Sequence, residues 1–185
     1  MKRIIGPAAF FYLVLFATAA FADDWAAPRP RIVASPYGQF AFKVIPDDRI
    51  NDNSPTPPTR GVLFTLDAKG NDRVLWEKRL VNTPLQAHVA DAGAYVVTID
   101  THANAGGPHS LVVYGPKGAV VADFALEDLL TKEQIEKHVT RSVSSRWWAE
   151  GAEVSIHAER KLAVVKLKWG KAIEVSLETG KLGPA

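Results

Sequence analysis

The chain has 185 residues, of which 47% are hydrophobic and 23% charged, with 22 Lys and Arg against 20 Asp and Glu. This ordinary globular composition excludes a mostly disordered chain, a collagen-like fibre and a polytopic membrane protein. The absence of cysteine also excludes disulfide scaffolds, cysteine-ligated metal sites, cysteine nucleophiles and lipid attachment at an N-terminal cysteine.

The N-terminus has the pattern of a secretory signal peptide, residues 1–22. Lys2 and Arg3 precede an uncharged apolar stretch that ends in the small-x-small sequence of residues 20–22. This pattern predicts cleavage before Asp23 and export to a periplasm or to the outside of the cell. An uncleaved anchor is the alternative, because the uncharged stretch approaches the ~20 residues that span a bilayer.

Cleavage would remove the net positive charge of the chain. The 22 Lys and Arg would fall to 20, so residues 23–185 would carry 20 basic and 20 acidic side chains. A neutral chain offers no electrostatic attraction to nucleic acid. We therefore expect residues 23–185 to form a single β-rich domain that binds an unknown protein or small-molecule ligand and is not stably inserted in a membrane.

Short apolar segments separated by Gly, Pro, Asn and Asp dominate the rest of the chain, and this pattern is typical of antiparallel β-structure. The predicted strands are residues 31–34, 40–45, 61–66, 73–80, 85–89, 94–99, 110–114, 119–124, 153–157, 162–167 and 172–177. Thr131 and Gln134 have the spacing of a capping box, which predicts one short helix that begins after Thr131.

Parts of the sequence repeat the same layout. Residues 35–42 and 90–97 are each a turn followed by a strand, with Gly38 and Gly93 at equivalent positions. Each is followed by a loop, a strand, a Lys-Gly turn and another strand, and a weaker third copy covers residues 153–181. The predicted fold is all-β, an antiparallel meander of propeller-like four-stranded units, two clear and one weak, with one short helix.

Two stretches carry a resemblance to known proteins. The turn Ser35-Pro-Tyr-Gly38 before an aromatic strand resembles the turns of β-propeller repeats in exported bacterial proteins. Residues 88–148, about a third of the chain, resemble a group of uncharacterised exported bacterial proteins, and this resemblance implies no activity. Because a closed propeller usually needs about four or more blades, the alternatives are an open stack of sheets, a sandwich, or a partial ring completed by another chain.

The loop at residues 100–109 contains the best candidate site. His102 and His109 could supply imidazole nitrogens to one divalent metal ion, and Asp100 a carboxylate. Asn104 could add a further oxygen. The alternative is a flexible hairpin loop whose histidines are solvated or cap nearby carbonyls. No catalytic motif accompanies these residues, so the prediction leans away from an enzyme and keeps a metal-binding protein or metal-assisted hydrolase as the alternative.

The corresponding loop of the first unit, residues 47–60, is rich in Asp, Asn and Pro. Its oxygens could bind calcium, although their order is not that of an EF-hand. Both loops occupy the same place in their units, so we expect them on one face, and loop faces of rigid scaffolds often carry binding sites. Trp147, next to Trp148, could add an aromatic contact there, with Trp148 in the core and Trp147 packed under Arg146 as the alternative.

These observations predict an exported soluble binding or interaction module that uses the loop face formed by residues 47–60 and 100–109. No cofactor is predicted beyond the divalent metal of the alternative. A further alternative is a structural subunit that completes a β assembly with another chain. That alternative predicts an unpaired strand at residues 31–34 or 172–177.

Overall fold

The structure is a computed structural model that describes residues 25–46 and 59–183. The predicted signal peptide and nearly all of the loop at residues 47–60, including its predicted calcium ligands, lie outside the described residues. The strands are β1 (Arg31–Ala34), β2 (Phe40–Ile45), β3 (Arg60–Leu66), β4 (Asp72–Arg79), β5 (Pro84–Val89), β6 (Val96–Thr101), β7 (Leu111–Tyr114), β8 (Val120–Phe124), β9 (Thr140–Arg141), β10 (Arg146–Trp147), β11 (Glu153–His157), β12 (Leu162–Lys166) and β13 (Ala172–Ser176). The helices are α1 (Leu126–Leu129) and α2 (Lys132–His138), and a 3-10 turn at Pro116–Gly118 separates β7 from β8.

The strands form three successive antiparallel meanders. Strands β1 to β4 make the first sheet, β5 to β8 the second and β11 to β13 the third, while β9 and β10 form a small hairpin. A bridge between Val175 and Leu182 extends the third sheet beyond β13. The predicted all-β meander is confirmed, and no closed propeller is formed by the part of the chain that the structure describes.

Equivalent turns repeat the same backbone hydrogen bonds in the first two sheets. The amide of Gly38 donates to the carbonyl of Ser35 at 2.8 Å, and the amide of Gly93 donates to the carbonyl of Ala90 at 2.9 Å. Both glycines have positive φ, 71° and 61°, a conformation that costs glycine little. In the third sheet Lys161 takes this place, with φ 51°. The repeat seen in the sequence is therefore a repeat of turn geometry.

The second sheet is buried on both faces, which explains the continuous apolar sequence of β7. Its side chains Val96, Val112 and Tyr114 pack with Phe42 and Leu63 of the first sheet in one core. The alternate side chains of β6 and β7 belong to a second core, shared with the third sheet and both helices: Val97, Ile99, Leu111 and Val113. The three sheets are therefore stacked, with the second in the middle.

The helices follow the second sheet and cover its core. As predicted, Thr131 caps α2, because the amide of Gln134 donates to the Thr131 hydroxyl at 3.3 Å and the Gln134 side-chain oxygen accepts from the Thr131 amide at 3.0 Å. The one-turn helix α1 was not predicted, because four residues are too few to show a helical period. Its Leu126 and Leu129 are buried. Neither helix of the described residues is long and apolar enough to cross a membrane.

The stack has two distinct ends. At the turn end, which comprises the hairpin turns at residues 35–39, 90–95 and 158–161, the Tyr37 amide donates to the Asp91 carboxylate at 2.9 Å. The opposite end, called the loop end, comprises Thr59 and residues 80–84, 100–110 and 144–148.

At the loop end the first two sheets meet at Thr83. The hydroxyls of Thr59 and Thr83 lie 2.5 Å apart, and the amide of His102 donates to the Thr83 carbonyl at 2.8 Å. Thr59 ends the first long loop, whereas His102 begins the second. The described ends of both loops therefore lie side by side.

Candidate binding site at the loop end

The loop at residues 100–109 is held by a buried carboxylate, Asp100, at the end of β6. Asp100 is 4% exposed, and its φ of 58° is unusual for a residue other than glycine. One carboxylate oxygen, Oδ1, accepts from the Gly106 amide at 2.8 Å and from the Trp148 indole at 2.7 Å. Burial raises the pKa of Asp100 to about 6, although both hydrogen bonds oppose that rise. Asp100 therefore joins its own loop to the segment that contains Trp148.

Asn82 holds the backbone at both ends of the same loop. Its side-chain amide donates to the carbonyl of Asp100 at 2.9 Å and lies 3.5 Å from the carbonyl of His109. The Asp100 amide in turn donates to the Ser110 carbonyl at 2.9 Å. Asn82 is 1% exposed, so these bonds are shielded from water and fix where the loop leaves and rejoins the second sheet.

Arg146 fastens the loop from the other side. Its guanidinium donates to the Gly106 carbonyl and to the Glu127 carboxylate, and its backbone amide donates to the Ala105 carbonyl at 2.9 Å. The hydrogen bond from Arg146 lowers the pKa of the Glu127 carboxyl. Arg146 thus connects the loop, α1 and β10 through charge-assisted bonds.

The two histidines of the predicted metal site have different partners. His102 Nε2 donates to the Ala26 carbonyl at 2.9 Å, whereas His109 Nδ1 lies 2.8 Å from both carboxylate oxygens of Asp123. Asp100 is buried beneath the loop with Trp148. Within residues 25–46 and 59–183, no group of three or more histidine and acidic side chains could hold a metal ion, so the geometry does not favour the metal alternative.

Asn104 has a local structural position. Its amide donates to the Thr101 carbonyl at 3.0 Å, and its carbonyl accepts from the Gly107 amide at 3.3 Å. The exposed Asn104 side chain covers Gly107, where an added Cβ would lie 2.5 Å from its Oδ1. Asn104 therefore helps to shape the turn at the tip of the loop.

The adjacent tryptophans after α2 have separate environments. Trp148 is 4% exposed and bonds to Asp100, while Trp147 is half-buried at the surface. The Trp147 ring stacks on Trp25 with centroids 5.3 Å apart and an interplanar angle of 21°. Trp25 also packs against His102, with ring centroids 5.1 Å apart. These three rings, Trp25, His102 and Trp147, form an aromatic cluster on the loop end.

Sequence reasoning selected Asp100, His102 and Trp147 but did not predict the long-range contacts that organise them. Asn82, Arg146 and Trp25 stand in ordinary local sequence, and no spacing marks them. Their contacts join residues far apart in the chain. Only a buried-strand pattern that ends in Asp100 could have suggested an enclosed carboxylate.

The loop end thus combines a loop fixed by buried bonds with a half-exposed aromatic cluster. The first feature can hold a surface in one shape, and the second can bind a flat apolar or cationic group by stacking. The sequence matches no protein-family model. It likewise matches no curated protein.

Proposed function

We propose that this chain is an exported soluble binding module whose partner docks on the loop end, over residues 100–109 and Trp147. Export rests on the N-terminal pattern of residues 1–22, which predicts a cleaved signal peptide. The observation that carries the proposal is the aromatic cluster of Trp25, His102 and Trp147, which lies beside a loop whose anchors, Asp100 and Asn82, are 4% and 1% exposed.

The physical reason concerns the entropy of binding. A mobile loop loses conformational freedom when it binds, and this loss weakens affinity. The bonds from Asn82, Arg146 and Trp148 fix the loop before any partner arrives. Trp is enriched among the residues that dominate binding energy at protein interfaces, and Trp147 is presented on this fixed surface.

Co-purification from the native cell envelope tests the proposal. A tagged full chain is crosslinked mildly in the cells that naturally make it, and its partners are identified by mass spectrometry. We expect Trp147→Ala to reduce the recovered partner by about tenfold or more, which corresponds to a loss of about 1.4 kcal/mol. Tyr37→Ala is the matched control, because Tyr37 is an aromatic residue at the turn end with 82% exposure.

The recovery of a partner by the two variants decides whether the loop end is the binding surface. A partner that is lost with Trp147→Ala and kept with Tyr37→Ala supports the loop end as the binding surface. A chain that recovers no partner, or one whose partner is unaffected by Trp147→Ala, contradicts the proposal. Urea unfolding of both variants checks that they remain folded.

The outer faces of the end sheets favour a second candidate, a structural subunit. On the first sheet, Ile32, Leu66 and Val74 are 62%, 59% and 53% exposed. The third sheet instead presents the polar side chains Glu153, Ser155, Lys166 and Glu174 on its outer face. Terminal sheets of stacked folds usually end in a polar face, and only the third sheet follows this pattern.

A second copy of this chain is the occupant that fits the first sheet. Most of the charges of that face are paired within it, since Lys43 lies 2.5 Å from Asp72 and Arg60 bonds to Glu77, while the exposed Arg79 lies opposite Arg60. Two such faces can therefore meet with few unpaired charges, whereas the polar face of the third sheet is a poor match. Val74 lies near the outer edge of this face.

Sedimentation velocity tests the subunit candidate. The unmodified chain should sediment as a dimer, and Val74→Lys should shift it to the monomer. Val120→Lys is the control, because Val120 is similarly exposed at 47% but belongs to the second sheet. A chain that stays monomeric throughout the concentration series contradicts this candidate and leaves the loop-end proposal untouched.

A further inference from the structure

The aromatic cluster is made partly by a residue outside the three sheets. Trp25 precedes β1, and residues 25–30 form neither helix nor strand. Its ring nevertheless stacks on Trp147 and meets the edge of His102. Its indole nitrogen lies 3.4 Å from the Ser144 hydroxyl. The contact with Ser144 joins residues that are 119 positions apart in the chain.

The backbone after Trp25 takes part in the same contact. His102 Nε2 donates to the carbonyl of Ala26 at 2.9 Å. The loop end therefore contacts one aromatic side chain and the carbonyl of the residue that follows it. These are features that an extended peptide of another protein can also offer, because every residue has a carbonyl.

Among the described residues, most of the side chains that follow Trp25 in this segment are exposed. Ala26, Ala27, Arg29 and Pro30 are exposed, and Pro28 is half-buried. The two prolines restrict the backbone of the segment before it enters β1. Trp25 can therefore leave its position with loss of the contacts to the cluster but without disturbing a sheet.

We infer that Trp25 is an internal ligand of the binding surface described above, and that the partner is a peptide segment with an exposed aromatic residue that takes its place. This inference rests on the proposed function and names the chemistry of its partner. His102 and Trp147 are the binding residues, and Trp25 competes with the partner for them. A tethered competitor acts at an effective concentration on the order of millimolar.

A peptide with the sequence of residues 25–30, acetylated at its N-terminus, is the probe. It is titrated into ¹⁵N-labelled full chain, and the indole N–H signal of Trp147 is followed by NMR. In the Trp25→Ala chain the site is vacated, so we expect a saturable shift of that signal. In the unmodified chain the midpoint should be higher by roughly threefold or more, because Trp25 competes. A peptide with Ala in place of its Trp should give no saturable shift.

A second variant tests the contribution of His102, which contacts both the aromatic ring and the carbonyl that follows it. In the Trp25→Ala chain, His102→Ala should raise the midpoint of the peptide titration, whereas Tyr37→Ala at the turn end should leave the midpoint unchanged. The inference is overturned if the Trp peptide fails to shift the Trp147 signal saturably in the Trp25→Ala chain. Equal midpoints with and without Trp25 would also overturn it.

The inference and the proposed function fail in different ways. A native partner that depends on Trp147, together with a peptide that does not bind, overturns the internal-ligand inference alone. A peptide that binds as expected, with no partner recovered from the cell envelope, supports the aromatic site and contradicts the proposed function.

Discussion

The two ends of the stack are built from different kinds of contact. At the turn end, short backbone bonds such as those of Gly38 and Gly93 close each hairpin within a few residues. At the loop end, Trp148 reaches Asp100 across 48 positions and Arg146 reaches Gly106 across 40. The turn end is therefore closed mostly by local bonds, with Tyr37 and Asp91 as a longer-range contact, whereas the loop end exists only after the sheets and helices have packed.

This difference suits a binding surface. Local turns can form in any chain that contains their residues, and the exposed side chain of Tyr37 is not held by packing against other rings of the described residues. The loop end fixes a longer loop by polar bonds from the buried residues Asn82, Asp100 and Trp148, which are shielded from water. The following predictions test the difference between the two ends, from the largest expected effect to the smallest.

Alanine at two glycines gives the most direct contrast in stability. Gly106 and Gly38 both have positive φ, 67° and 71°. A Cβ at Gly106 would lie 2.5 Å from the carbonyl oxygen of Arg146, while a Cβ at Gly38 would meet nothing within 4 Å. The left-handed conformation costs alanine about 1–2 kcal/mol, and overpacking costs a further 1–3 kcal/mol or so.

We therefore expect Gly106→Ala to lower the free energy of unfolding by about 3 kcal/mol or more. Gly38→Ala should lower it by only about 1–2 kcal/mol. Urea unfolding of both variants measures the difference. Equal losses would show that the loop end accommodates the added methyl group and is not tightly held.

The buried carboxylate predicts a dependence on pH. The folded-state pKa of Asp100 is about 6, above its ordinary value of 3.8. The folded chain therefore binds the proton more tightly than the unfolded chain, and this contribution to stability is full below about pH 4 and is lost as the pH rises to about 6. Because the two pKa values differ by about two, this contribution to the free energy of unfolding is about 2–3 kcal/mol.

Asp100→Asn removes this titration. Between pH 4 and pH 7, the free energy of unfolding of the variant should therefore rise by about 2–3 kcal/mol relative to that of the unmodified chain. Urea unfolding at the two pH values measures the gain, and the other titrating groups cancel in the difference. A relative stability that does not change with pH would contradict the enclosed position of Asp100.

A comparison of two buried tryptophans, Trp148 and Trp76, can measure how much the hydrogen bond to Asp100 contributes to stability. Trp148 donates to Asp100, whereas the buried indole nitrogen of Trp76 has no partner among the described residues. Phenylalanine at either position removes a similar volume, but only Trp148→Phe removes a bond to a charged group. We expect Trp148→Phe to cost about 2 kcal/mol more than Trp76→Phe, as measured by thermal or urea unfolding at pH 7.

The smallest effect concerns the exposed ring of the cluster. Trp147→Ala removes a half-buried side chain that stacks on Trp25, so the free energy of unfolding should fall by about 1 kcal/mol or less. Chemical unfolding measures this change. A loss of several kcal/mol would indicate that Trp147 supports the fold, and its effect on binding would then need another explanation.

The sequence predicted the locally encoded parts of this molecule well. The bounds of β1, β2 and β11 agree with the predicted strands, and the cap of α2 forms as its Thr and Gln indicated. Turn residues and alternating apolar positions act over a few residues, so a single sequence is enough to recognise them. The third unit, predicted as the weakest copy, has three strands in its sheet.

The contacts of the loop end could not be read in the same way. His102 and His109 have a spacing that suits one metal ion, yet tertiary contacts direct one to Ala26 and the other to Asp123. Trp25 contacts Trp147, although most of the chain lies between them in the sequence. Nothing local distinguishes such residues, because their positions depend on how the sheets stack.

The central claim is that this chain binds its partner at the loop end, and site-specific photo-crosslinking tests it most directly. A photoreactive phenylalanine analogue is placed at position 108 or at position 37, and the tagged chain is irradiated in the cells that make it. We predict a discrete crosslinked partner from position 108, an exposed position of the loop, and none from Tyr37, which is 82% exposed at the turn end. A partner captured from position 37 alone, or equally from both, would contradict the claim.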